Sequence, residues 1–471
     1  MRKIYAILGV VMLFAGSLCA SAQSDGYNRL RNIATGHYAY LAGSHHFSPD
    51  VDEQQALSLP GTVGYMQFAT SEEGNRVTSL RLQGVDVVND LLPMLPMMIR
   101  QYFTEDVYLE LRDSAAVMVN ANMSGAMGSM LVGYINRFSY QDFLDWVDQT
   151  DTNLYYAEAG RGYCLYIKTP KFPLNAGDLN SYFISKVNNY LTIYRGSLQR
   201  MASEYLADRP DLLPMVYSLV SHLRFEDYLY LTEQTAEGYE GNFGFANVAD
   251  LPGTAHEWEF VPVDDNMYLG LAGQVQDASG KWYTSLAAGF PITLGEGMEA
   301  YTVTDDVNMD RSLIQWKKLD TDFIPAFTPV IVALNGSDAA SNKVTLSPDF
   351  SIGTNPGRLI LATDENGFLL GKNLEYPDPH YYQLGVTDGK VCLKVIEEPR
   401  LNASEAYYYL DDYRKQVDTT GYLLLVDDAD GIAVPTASAM GSTDFYDLQG
   451  RRVNAPSKGI YIRNGRKVLV R

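Results

Sequence analysis

The chain has 471 residues, 46% of them hydrophobic and 20% charged, with a formal net charge of -21. That length predicts two or three domains, and that balance excludes an intrinsically disordered chain. The acidity excludes nucleic acid and anionic lipid as partners drawn in by long-range attraction, and favours solubility outside a cell.

Residues 1–22 read as a cleaved signal peptide. Arg2 and Lys3 form a basic n-region, Ile4 to Ala15 an apolar stretch too short to span a bilayer, and Ala20-Ser21-Ala22 a small-x-small cleavage site. Cys19 follows Leu18 where a lipoprotein signal needs a small residue, so ordinary cleavage before Gln23 is expected. Loss of Arg2 and Lys3 takes the charge from -21 to -23. The rest of the chain holds no apolar run long enough for a transmembrane helix, and the expected location is secreted or cell-surface.

From Gly26 the pattern is a hairpin: Tyr27, Leu30 and Ile33 flank polar positions, Asn32 to Gly36 turn, and His37 to Leu41 return. Residues 59–68, Leu-Pro-Gly-Thr-Val-Gly-Tyr-Met-Gln-Phe, then find a near copy at 251–260, Leu-Pro-Gly-Thr-Ala-His-Glu-Trp-Glu-Phe. Each has a Pro-Gly turn, a Thr, and an alternating run ending in Phe. The pair predicts two copies of one β-unit that share a domain, pushed apart by an insertion.

At about Asn89 the period changes. Pro93 and Pro96 suit a helix start. Ser139 to Asp142 has the form of a capping box ahead of Phe143, Leu144, Trp146 and Val147. Residues 154–168 return to strand. Asn175 to Asp178 then offer caps for a helix whose apolar positions, Leu179 to Tyr205, recur in steps of one, three and four that keep them on one face. Arg209-Pro210 ends it, and Leu212 to Leu223 make a shorter helix. The expectation for 91–235 is a mostly helical insertion.

Strands resume at Leu229. From Lys281 the chain runs in short alternating segments broken by Gly and Pro, as in a β-sandwich: Phe290-Pro291, Gly297 to Val303, Ile324 to Val332 and Ser341 to Leu346. More strands follow to Val426. Residues 427–442 are a linker of small and acidic residues, and 443–471 a basic tail of three tiny strands.

Three of these stretches resemble something known. The opening Gly-Tyr-x-Arg-Leu-Arg-Asn-x-x-Thr-Gly-x-Tyr is similar to the start of β-trefoil-like modules in large secreted proteins of Bacteroidales bacteria, a group without a known function. The block from Trp282 to Leu346 resembles a β-domain of the same proteins. The tail, Tyr446-Asp-Leu-Gln-Gly-Arg-Arg-Val453 through Lys467-Val-Leu-Val470, resembles their C-terminal segments and a shortened sorting domain. The resemblance implies origin and export rather than an activity. It also carries a departure. Sugar-binding trefoils of the ricin type bear a Gln-x-Trp strand, and here the matching places read Tyr65 to Phe68 and Glu257 to Phe260.

Residues able to carry chemistry are sparse. Six histidines include one cluster, His45-His46, with Asp50, Asp52 and Glu53 nearby. Neighbouring residues seldom ligate one ion together, so a solvated loop is the better reading. Asp306-x-Asn308-x-Asp310 has the first half of a calcium loop but Lys317 at its twelfth position. Asp428-Ala-Asp430-Gly431 is equally incomplete. Calcium at these sites is the sole cofactor with any basis, and no metal ligand is assigned. There is no His-Glu-x-x-His, Gly-x-Ser-x-Gly or Walker loop, and no catalytic residue is assigned. Cys164 and Cys392 remain after cleavage; two isolated buried thiols are expected rather than a disulfide. Thirty-four tyrosines suit a β-rich surface or a binding face.

The sequence thus predicts a mainly β protein with an α-helical insertion. A β-trefoil-like module (23–90 plus 236–275) carries the insertion (91–235), and a β-sandwich-like domain (276–426) follows, then the linker and the tail. The expected function is non-enzymatic, adhesin-like binding of a glycan or a host or cell-surface protein, without naming the binding residues. The alternatives are an extracellular hydrolase with a site at the domain junction and a structural component of a surface assembly.

Overall fold

The computed structural model describes residues 23–41, 47–48, 51–72, 74–122, 124–172, 181–205, 223–235, 243–247, 254–308, 312–350, 352–363, 369, 371–374, 380–410, 421–426, 445–446, 452–453, 459–463 and 466–470. It is mainly β, with a cluster of helices set into the first half.

The first body is built on β1 (Gly26–Asn32), β2 (Tyr40–Leu41), β3 (Phe47–Ser48), β4 (Gly64–Ser71), β5 (Gly74–Leu82), β6 (Val85–Asp86), β7 (Leu154–Ala159), β8 (Gly162–Lys168), β9 (Tyr228–Gln234), β10 (Phe243–Ala246), β11 (Thr254–Ala255) and β12 (Trp258–Pro262). Six of these close on themselves. β1 pairs with β4, β4 with β5, β5 with β7, β7 with β8, β8 with β12, and β12 with β1 again, every pair antiparallel. The two Leu-Pro-Gly-Thr stretches lead into β4 and β12, which flank β1 on either side.

Alternation in the sequence explains what fills this ring. Leu30, Met66, Phe68, Leu154, Tyr156, Leu165, Trp258 and Phe260 form one core, with Val77, Leu80 and Leu82 of β5. Met66 and Phe68 hold in β4 the places of Trp258 and Phe260 in β12. Trp258 is fully buried and donates its indole N–H to the Leu231 carbonyl at 2.9 Å. In β5 the parity switches between Val77 and Leu80, where a bulge lies opposite Gln67 and Phe68.

The region expected to be mostly helical contributes strands to this sheet as well as helices. Helices Met94–Tyr102, Glu105–Asn122, Ala126–Arg137 and Tyr140–Val147 lie between β6 and β7, and Ser181–Tyr205 between β8 and β9. Ser139 and Asp142 form the capping box that their spacing predicts. Asn175 to Asp178, Arg209-Pro210 and the helix expected over 212–223 lie outside the described residues. The chain from Val77 to Val88 is broken by a turn. Gln83 and Gly84, both with positive φ, make a two-residue turn between β5 and β6, after which a π-helical turn spans Val87–Leu91.

The second body comprises β13 (Leu269–Gly270), β14 (Val275–Gln276), β15 (Trp282–Leu286), β16 (Ile292–Thr293), β17 (Glu299–Asn308), β18 (Leu313–Lys318), β19 (Phe323–Ile324), β20 (Val330–Leu334), β21 (Lys343–Leu346), β22 (Leu359–Leu361), β23 (Lys372–Asn373), β24 (Tyr381–Thr387), β25 (Lys390–Val395), β26 (Arg400–Leu401), β27 (Ala406–Tyr409) and β28 (Tyr422–Val426). Ten of them form one sheet in the order β14-β15-β20-β17-β18-β28-β25-β24-β27-β22, with a single parallel pair, β18 and β28. The sheet rolls until its far parts meet: Ala278 N–H donates to the Gly389 carbonyl at 2.8 Å, and Ala287 N–H to the Ser404 carbonyl at 2.9 Å. Val303, Ile314, Ile331, Tyr382, Leu393 and Leu423 belong to the core inside the roll. A four-stranded sheet, β13-β21-β16-β19, supplies the other layer, with Leu269, Ile292 and Ile324 packed against Val330, Val332 and Leu334. Val330–Leu334 is buried at every position because both of its faces are covered. The tail strands β29 (Phe445–Tyr446), β30 (Arg452–Val453), β31 (Gly459–Arg463) and β32 (Arg466–Val470) pair among themselves.

The two bodies share side chains. Val63 of the first belongs to the core of the second, with Tyr27 packed against it. Arg29, fully buried, ties the joint: Nε donates to Thr62 Oγ1 at 3.1 Å, Nη1 to the Met267 carbonyl at 2.6 Å, and Nη2 to the Ala56 and Tyr268 carbonyls at 3.0 Å. Thr62 closes the first Leu-Pro-Gly-Thr, and Met267 and Tyr268 follow the second unit.

Candidate functional site

The candidate site is a cleft of about 360 Å³ where the turn after β5 meets the second body. Its lining includes Arg81, Asn89 and Asp90 from the first body and Phe327, Phe350 and Ile352 from the second.

Two close approaches shape its floor. Gly84 (φ 82°) lies under the Phe327 ring, so that a Cβ there would fall 1.9 Å from a ring carbon. Gly289 abuts the Gln83-Gly84 backbone, where a Cβ would fall 2.2 Å from the Gly84 nitrogen. Only glycine permits both contacts. Phe327 itself has φ 58°, held by its N–H donating to the Ala288 carbonyl at 2.9 Å. Gln83 is buried, reaches Ser404 Oγ through Nε2 at 3.3 Å, and lies under Gly61 of the first Leu-Pro-Gly-Thr.

Asp86 organises the polar wall. Its Oδ1 accepts from the Leu80, Val88 and Asn89 backbone N–H groups at 3.1–3.2 Å, and its Oδ2 from Ser79 Oγ at 2.7 Å and Asn89 Nδ2 at 2.8 Å. Burial opposes its charge, but these bonds, from Ser79 and Asn89 first, outweigh burial and hold the carboxyl below its ordinary range. Asp86 therefore stays ionised and fully engaged, unfit to exchange protons with a substrate. Its own N–H donates to Asp90 Oδ2 at 3.0 Å.

Arg81 stands over this carboxylate with Nε 3.6 Å from Asp86 Oδ2. The guanidinium carbon lies 4.6 Å from the centre of the Phe350 ring. Phe350 is in turn fixed by Tyr65 at 4.9 Å and Tyr27 at 6.1 Å. Tyr27 also packs edge-on against Phe290 and donates to the Ser347 carbonyl, and burial pushes its hydroxyl well above the usual tyrosine pKa. At the rim, Ile352 is 73% exposed.

None of the residues singled out by pattern alone lies in the cleft. His45, His46 and Asp50 lie outside the described residues. Asp52 caps the short helix Glu53–Ala56, accepting from Gln55 N–H at 2.8 Å. Asp306 and Asn308 sit near the end of β17, Lys317 is in β18 opposite Thr302, and Asp310 lies outside the described residues. Asp428, Asp430 and Gly431 lie outside them too. Among the described residues no three His, Cys, Asp or Glu side chains gather as a metal site. Cys164 and Cys392 are free and buried in separate sheets, and burial pushes each thiol up to about 11.

Sequence reasoning missed one buried polar pair. Glu233, 1% exposed, accepts from Thr35 Oγ1 at 2.6 Å and faces His37 Nδ1 at 2.7 Å, tying the opening turn to β9. No sequence signal links residues so far apart. The tyrosines serve the interior more than expected: Tyr38, Tyr155, Tyr382 and Tyr407 are fully buried, while Tyr228 and Tyr409 are exposed.

Comparison with protein-family models, with curated proteins and with solved structures finds no match. No helix among the described residues is long and apolar enough to cross a membrane.

Proposed function

We propose that the chain is an exported, non-enzymatic binding protein that takes a glycan or a surface protein in the cleft between its two bodies. The observation that carries this is the cleft's division of labour. Phe327, Phe350 and Ile352 give it apolar surface beside the polar Arg81, Asn89 and Asp90, while the buried carboxylate, Asp86, is spent on five hydrogen bonds. Glycoside hydrolysis needs two carboxyl groups free to act on substrate, and here Asp90 alone has an oxygen to spare.

The finer architecture follows the same reading. The ring of six strands divides into three successive units, β1 to β4, β5 to β7 and β8 to β12, each with two ring strands and an excursion between them. That supports a β-trefoil-like module whose second excursion is helical and whose third carries the long helix Ser181–Tyr205. The two layers around Val330–Leu334 support a β-sandwich-like second domain. The signal-like start, with the opening and tail that resemble secreted Bacteroidales proteins, supports export to the cell surface or beyond.

A glycan array and a surface-protein pull-down with the chain from Gln23 test the reading. Binding that Ile352→Asp abolishes is the expected result. Release of reducing sugar or peptide from any bound polymer would overturn it in favour of a hydrolase.

A further inference from the structure

We propose that the junction cleft recognises a sugar residue carrying a single carboxylate, resting on the reading above that the cleft is a binding site. The inference starts from Arg81. Phe350 supports one face of its guanidinium and Asp86 faces its Nε edge, so the plane of the group is set before any ligand arrives. Among the described residues nothing accepts from Nη1 or Nη2. A planar fork with two open donors matches a carboxylate, which can take both hydrogen bonds at once.

The remaining groups narrow the class. Asn89 spends its Nδ2 on Thr78 and Asp86, which leaves Oδ1 as an acceptor, and Asp90 keeps Oδ1 after accepting from Asp86. Two acceptors beside one fork call for a ligand with hydroxyl donors close to its carboxylate. Ile352 and the Phe327 ring offer a surface for the apolar face of a sugar ring. The volume, near the lower end of the usual pocket range of about 300–1,000 Å³, suits one or two such rings.

Charge and geometry exclude the competitors. The cleft holds one cation, Arg81, against two anions, Asp86 and Asp90, on a chain of net charge -21. A polyanion such as a sulfated glycan or a nucleic acid would be repelled, whereas one carboxylate in contact with the fork is not. A peptide chain would need backbone partners. The strand edge at the cleft, β6, is two residues long, and its Asp86 N–H is already given to Asp90.

Calorimetry with four probes tests this: digalacturonate, its neutral counterpart digalactose, sialyllactose and lactose. The expected result is that at least one acidic probe binds about tenfold or more tighter than its neutral partner, and which one does so separates a uronate from a sialate. Arg81→Gln should erase the preference at unchanged thermal midpoint, and Arg81→Lys, which keeps the charge without the fork, should lose most of it. Ile352→Ser should weaken acidic and neutral probes alike. Equal affinity for acidic and neutral probes, or a preference that survives Arg81→Gln, overturns the carboxylate while leaving the cleft as a glycan site. Capture of a protein or peptide through Ile352 with no sugar bound overturns the sugar and keeps the binding function. Failure of every sugar and every surface protein to bind overturns both.

Discussion

Gly289→Ala is the sharpest test of the joint beneath the cleft. The new methyl carbon would lie 2.2 Å from the Gly84 nitrogen, 2.5 Å from the Gln83 carbonyl carbon and 2.9 Å from the Gly84 Cα. Ordinary contact begins near 3.4 Å, so the two chains must separate by more than an ångström. All three atoms are backbone, and the turn that carries them is pinned by the β5–β6 pairing, so no side chain can swing aside. Overpacking of this kind costs about 1–3 kcal/mol. For bodies of this size that lowers the thermal midpoint by about 2–4 °C per kcal/mol, and the widened floor should also weaken any cleft ligand. The assay is urea and thermal unfolding of Gly289→Ala beside Gly244→Ala, where a Cβ meets nothing within 4 Å. Equal stability and ligand affinity in both variants would refute a tight joint at Gly84.

Arg29→Met should destabilise by about 2–4 kcal/mol, because one buried and two half-buried carbonyls lose their donor; equilibrium unfolding that matches the wild type would contradict that role. Burial lowers the Arg29 pKa only to about 10, so the bonds are charge-assisted at neutral pH. Asp86 has a folded pKa below the usual 3.8, so its contribution is full above that value and is lost as pH falls through the folded pKa. Asp86→Asn should therefore be less stable at neutral pH and show a shallower loss below about pH 3.8; an unchanged acid limb in pH-dependent unfolding would count against it. Cys164 and Cys392, with pKa values near 11, should resist a thiol reagent at pH 8 and react fully in denaturant. Rapid labelling of the native protein would show that one of them is accessible.

Local pattern carried the reading well wherever a side chain's fate depends on near neighbours. Alternation around Met66 and Phe68, and around Trp258 and Phe260, pointed to strands with one buried face, and the repeat of Leu-Pro-Gly-Thr pointed to related strands. Ser139 and Asp142 signalled a helix start because a capping box is complete within four residues. The cleft left no such trace. Its walls join residues 81–90 to Gly289, Phe327 and Ile352, and its floor depends on a glycine meeting a glycine from another body. Gln83 obscured the turn further, since the position with positive φ before Gly84 more often holds Asn, Asp or Gly. Asp86 looked like any other acidic residue; its five hydrogen bonds depend on where Ser79 and Asn89 fall once the hairpin has formed.

Closure of the ring between β1 and β12 has a consequence for how the chain comes into being. The hairpin of β4 and β5 can pair as soon as it is made, and β1 can join β4, but the other edge of β1 must wait for Trp258 to Pro262. At synthesis rates of about 5–20 residues per second, β12 follows β5 by roughly 10–35 s. Throughout that delay the edge of β1 and the apolar side chains of the ring lie open to other chains, a hazard for a protein rich in non-local pairing. If export holds the chain unfolded until it is complete, the hazard passes, and the order of synthesis ceases to matter to the order of folding.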